Sequence, residues 1–190
     1  MISSAYPSND SGKAWPSKDR LEAYVRDCLT KEPEIFENHL ARSLPRMTVT
    51  IPGQYDSQHG IDIIGIDTHI PRRRMWLIEI SRGREMGAGL VKQLDKRKYA
   101  GNQSQMSHRW RRAAADLFLE KNPNSIEMLR ALFDLGNAER GLIEQTFEVY
   151  FASHRAAVVV PAGCDVVGSN TGLRFGRDIY TFAYRNGSRR

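Results

Sequence analysis

The chain has 190 residues, 41% hydrophobic and 26% charged, enough for one domain with a real core and cramped for two. Its 28 basic residues outnumber 22 acidic ones, and the net charge of +6 argues against a basic partner and for a polyanionic one, nucleic acid first. Cys28 and Cys164 lie too far apart to form a zinc pattern or a secreted framework, no apolar run reaches membrane-span length, and the start lacks signal-peptide character, so a cytoplasmic protein with no membrane partner is expected.

Residues 1–16 are rich in Ser, Pro, Gly and Asn and read as a flexible arm. Ser17 is a helix cap, and Leu21, Tyr24, Val25, Cys28 and Leu29 then recur at amphipathic helical spacing. Pro33 interrupts this helix, and Ile35, Phe36 and Leu40 continue its apolar face in a second piece. Met47–Ile51 is a β-branched strand candidate. Strands over 60–67 and 75–81 follow, joined by a turn carrying Arg72, Arg73 and Arg74. Both strands are nearly continuously apolar, as the centre of a sheet covered on two faces requires.

Gly87-Ala-Gly89 leads into a helix that runs to about residue 100. Trp110, Ala113, Ala114, Leu117 and Phe118 mark a further helix, and Ile126–Leu135 another, stopped by Gly136. Phe147–Phe151, Ala156–Val160 and Ile179–Tyr184 read as strands, and 185–190 as a basic tail. The glycines between 163 and 176 lack the lysine a phosphate loop needs. One domain over 17–184 is therefore expected.

Two residues break the apolar strands. Asp62 sits between Ile61 and Ile63, and Glu79 between Ile78 and Ile80. Acids are depleted in strands and costly to bury unless paired or bound to a cation. Two carboxylates on neighbouring strands repel by roughly 4 kcal/mol at ~4 Å and an effective dielectric near 20. A divalent cation reverses that sign, and carboxylates with water are what Mg²⁺ prefers. Asp67 is a rival first ligand, but it ends its strand beside a turn, where Asp is common for backbone reasons. His59 is a lone histidine and is not assigned as a base. The runs Arg72-Arg73-Arg74 and Arg109-Trp-Arg111-Arg112 are the candidate nucleic-acid contacts, although Trp110 itself fits a core stripe.

Asp62 and Glu79, on strands joined by a hairpin, resemble the D…(E/D)xK core of the PD-(D/E)XK nuclease superfamily. Gly60-Ile-Asp-Ile-Ile-Gly-Ile-Asp67 and Leu77-Ile-Glu-Ile-Ser-Arg-Gly83 carry the likeness. Leu90–Tyr99, with Gln93, is similar to that family's next helix, and Leu21-Glu-Ala-Tyr with Pro33-Glu-Ile-Phe-Glu37 to its leading helix. The resemblance spans roughly residues 18 to 100. It implies a restriction-endonuclease-like α/β core in α-β-β-β-α-β order: a central mixed sheet flanked by helices, with an extra helical insertion over about 105–140. It further implies that Asp62, Glu79 and the Ile80 carbonyl hold Mg²⁺ or Mn²⁺, that Gln93 serves the site, and that the substrate is a nucleic-acid phosphodiester, DNA before RNA. A homodimer or larger complex is compatible with it. The family lysine falls on Ser81, so Lys92 or Lys96, one helical turn apart, is the expected substitute. The leading-helix glutamate falls near Lys18, with Glu22 and Glu37 close by. These departures also admit a degenerate module that binds nucleic acid or a protein without cutting.

Overall fold

The computed structural model describes residues 17–38, 40–56, 59–68, 73–80, 98–99, 103–104, 106–161 and 177–182. The expected arm, the tail, Ser81, Arg72 and the stretch holding Lys92, Gln93 and Lys96 lie outside the described residues. Helix α1 (Lys18–Lys31) begins where Ser17 accepts the Arg20 N–H, and Leu21, Val25, Cys28 and Leu29 form its buried stripe. A 3₁₀ turn at Pro33–Ile35 leads into strand β1 (Phe36–Asn38). The second helical piece is thus corrected: Phe36 is buried from a strand, and Leu40 is 56% exposed. Burial of one aromatic at a sheet edge outweighed a helical pattern of only three apolar residues.

Strands β2 (Met47–Gln54), β3 (Gly60–Asp67) and β4 (Arg74–Ile80) form an antiparallel meander. A small pair follows, β5 (Lys98–Tyr99) with β6 (Gln103–Ser104), so the helix expected to reach residue 100 does not include 98–99. Helices α2 (His108–Lys121), α3 (Ser125–Phe133) and α4 (Arg140–Ala152) come next, then β7 (Arg155–Pro161) and β8 (Arg177–Phe182). The strand expected over Phe147–Phe151 is helical instead. Ile143, Phe147 and Phe151 recur every four residues and are all buried, so helical packing overrides the β-leaning Val-Tyr-Phe composition.

The main sheet has six strands in the order β1-β8-β7-β4-β3-β2. It is mixed: β4, β7 and β8 run parallel, and the other neighbours are antiparallel. One face is covered by α1, whose stripe packs on Ile63, Ile78, Ile80 and Tyr180. The other carries the larger core, where α2, α3 and α4 lay Trp110, Phe118, Leu132 and Phe147 on Ile64, Leu77 and Val158. The molecule is therefore an α/β fold with β3 and β4 inside the sheet, as their unbroken apolar runs require. No helix among the described residues is long and apolar enough to cross a membrane.

Candidate functional site

Strand directions give the sheet two chemically different ends. β4, β7 and β8 finish at one end, where β2 also finishes and β3 begins. Asp62 and Glu79 are at this end. Ile63 faces Ile78 in the last rung of the β3–β4 ladder at this end, and Asp62 and Glu79 are the next residues along their two strands. Asp62 is 1% exposed and Glu79 6%.

Asp62 is also the extra residue of a bulge. Pro52 faces Ile63 while Gly53 faces Ile61, so β3 has one more residue than β2 there. Bulges re-aim side chains and break ladder pairing. Here Asp62 Oδ2 accepts the Ile80 N–H at 2.8 Å. That amide belongs to the peptide joining Glu79 to Ile80, so the Asp62 carboxylate lies against the backbone that carries Glu79. Just before the bulge, Gly60 has φ +123°, and an added Cβ would meet Gln54 Cα at 2.6 Å. Only glycine fits the entry to this strand.

Sequence reasoning named Glu22 and His59 as neighbours of this end but did not find Gln54, Asp56 or Asn122. Gln54 Nε2 donates to Glu22 Oε2 at 3.0 Å, which brings a leading-helix glutamate to the end of β2. Asp56 accepts from the His59 backbone N–H and lies 2.9 Å from its ring Nδ1, in the turn between β2 and β3. Asn122, past the end of α2, donates to the Gln54 carbonyl. Glu37 is not nearby. It sits on β1, three strands from Glu79, or roughly 14 Å at ~4.8 Å per strand. The signal for Glu22 was its helical phase, one position past buried Leu21 on the helix that covers the sheet.

The arginines lie elsewhere. Arg73 and Arg74 are at the β3–β4 turn, with Arg74 opposite Asp67. Five residue steps along the strand separate Asp62 from Asp67, about 17 Å at ~3.3 Å per residue. Asp67 is buried and takes the Trp76 indole N–H at 3.4 Å, so it shares neither the place nor the partners of Asp62. Arg111 is only 5% exposed and donates to the Met106 carbonyl, which keeps its guanidinium from reaching a surface ligand. Arg112 forks onto Glu148, bonds Asp116, and lies 5.1 Å above the Phe151 ring. The Glu148 hydrogen bond, foremost, holds Arg112 more firmly protonated and lowers the Glu148 carboxyl pKa. Arg109 is exposed.

Two buried carboxylates on adjacent strands suit Mg²⁺ or Mn²⁺, which take one or two carboxylates and fill the rest of the shell with water. Among the described residues no group of three or more His, Cys, Asp or Glu side chains converges. Asp62 and Glu79 alone would leave most of a divalent ion's shell to water and backbone carbonyl groups. Comparisons with protein-family models, with curated proteins and with solved structures return no match.

Proposed function

We propose that this chain is a metal-dependent nuclease on a restriction-endonuclease-like core, hydrolysing phosphodiester bonds of nucleic acid, DNA first. One observation carries the reading. Two buried acids lie on adjacent strands at the carboxyl end of the central strand β4, with the Asp62 carboxylate on the Glu79–Ile80 peptide. Ligand sites in open α/β sheets gather at such strand ends. Asp62, Glu79 and the Ile80 carbonyl would hold Mg²⁺ or Mn²⁺. Bound there, the ion supplies charge to the scissile phosphate and lowers the pKa of a coordinated water. The protein's own part is orientation. The Ile80 N–H fixes one Asp62 oxygen, and the apolar strands on both sides keep bulk water from competing. Glu22, held by Gln54, stands where a leading-helix acid could orient water. Lys92 or Lys96 supplies the cation absent at Ser81, with Gln93 on the same segment.

A second reading is a binding module that has lost catalysis. The Ile80–Asp62 hydrogen bond favours it, because that bond gives Asp62 a structural role that needs no metal. The test is cleavage of single- and double-stranded DNA and RNA with Mg²⁺ or Mn²⁺. Glu79→Ala and chelation should each abolish it, and Lys92→Ala or Lys96→Ala should cut it sharply while leaving binding intact. A wild type inert with every substrate and both metals overturns the nuclease reading, and activity gained on Ser81→Lys would identify the lesion.

A further inference from the structure

The sheet end opposite the carboxylates repeats one residue type. Each strand that starts there starts on, or one residue after, an arginine: Arg46 before β2, Arg74 in β4, Arg155 in β7 and Arg177 in β8. Arg73 precedes Arg74 at the same turn. Arg46, Arg73 and Arg155 are exposed and Arg74 is half-buried; Arg46 also donates from one guanidinium nitrogen to the Lys31 carbonyl at 3.0 Å, leaving its other N–H groups at the rim. The row crosses the sheet from β8 to β2, four strand steps, or about 19 Å at ~4.8 Å each.

Helix α2 adds to the same rim. The ring of His108, its first residue, lies 6.0 Å from that of His154, which immediately precedes Arg155. The first turn of α2 thus presents His108 and Arg109 at this end, with no acid in it. Cations are disfavoured at a helix N-terminus by the helix dipole. A folding-only account gives no reason to gather them there. One acid of this end, Asp67, is buried.

We propose that this arginine rim is a phosphate-backbone binding surface for nucleic acid, separate from the carboxylate end. It rests on the proposed function only for the class of partner. A row of that length matches on the order of five phosphates of one strand at 3.4 Å of axis each. Four or so contacts of this kind give a salt slope near −3.6, taking ~0.9 per phosphate.

The test uses a short fluorescein-labelled DNA duplex, the full chain and EDTA throughout, so that cleavage plays no part. Fluorescence anisotropy at several salt concentrations should give the steep slope for wild type. Arg46→Gln, Arg73→Gln and Arg155→Gln should each flatten it by about one unit, and Arg155→Lys should retain it. Arg20→Gln makes the same charge change in the first turn of α1, at the other end, and should leave the slope unchanged. Thermal melts establish that each variant is folded. Rim variants that bind like Arg20→Gln overturn the proposal, as does preference for phosphatidylserine vesicles over duplex. Failure of the nuclease reading looks different: wild type binds steeply with salt but never cuts.

Discussion

The two ends of the central sheet obey opposite rules. At the carboxylate end, charge is buried, sparse and placed by backbone geometry: a bulge, a Gly60 with positive φ, and an amide that fixes Asp62. At the arginine end, positive charge is repeated, mostly exposed and placed by strand starts, although Asp67 there is buried. Buried charge must have a local physical reason, because isolation from water costs several kcal/mol per ion. Exposed charge costs little and acts through number and spacing. Chemistry is therefore expected at the first end and long-range attraction at the second.

The largest effect expected is at the carboxylate end. Glu79→Ala should reduce metal-dependent cleavage to background with the melting temperature little lowered, because the change also removes one member of a repelling pair. Unchanged cleavage would detach the chemistry from this end. Next in size is Asp62→Ala. It leaves the buried Ile80 N–H without its acceptor, which costs about 1–3 kcal/mol. Asp62→Asn keeps an acceptor and should lose less, so equal melting temperatures for the two would show that this bond contributes nothing.

A smaller, pH-dependent effect belongs to the arginine end. Burial, foremost, pushes the His154 pKa from 6.5 down to about 4, with Arg111 and His108 adding to the depression and the Phe151 carbonyl opposing it. The unfolded chain therefore takes up a proton that the folded one refuses. Stability should be full above pH 6.5 and decline as pH falls towards about 4. His154→Phe should flatten that part of the curve in urea unfolding, and an unaltered slope would remove His154 as its source. Smallest is Arg112→Ala, worth up to about 1 kcal/mol because its ion pairs are surface-exposed. The loss should shrink with added salt, and a salt-independent loss would point to the Phe151 contact instead.

Much of the carboxylate end was legible in the sequence. An acid flanked by isoleucines in a run too apolar for an edge strand has to be buried, and two such runs joined by a short turn have to be neighbours. The bulge was not legible, since a one-residue register shift leaves no compositional trace. Nor was Gln54 as the partner of Glu22, a contact 32 residues apart. The distance from Arg73 and Arg74 to the acids was available but easily missed: a hairpin turn lies at the far end of both its strands. Arg111 and Arg112 looked alike, yet helical phase buries one and hands the other to Glu148. The strand expected at Phe147–Phe151 is overridden by the four-residue spacing of Ile143, Phe147 and Phe151, which puts all three on one buried helical face.

The central claim is that Asp62 and Glu79 share a divalent ion, and calorimetric melting under Mg²⁺ or Mn²⁺ titration tests it without requiring a substrate. A ligand that binds only the folded state stabilises by about 2.7 kcal/mol at a hundredfold excess over Kd. Wild type should show a melting temperature that rises with ion concentration, and Glu79→Gln and Asp62→Asn should each lose the rise. A wild-type melting temperature that does not move with either ion, or moves equally in all three proteins, would contradict the account.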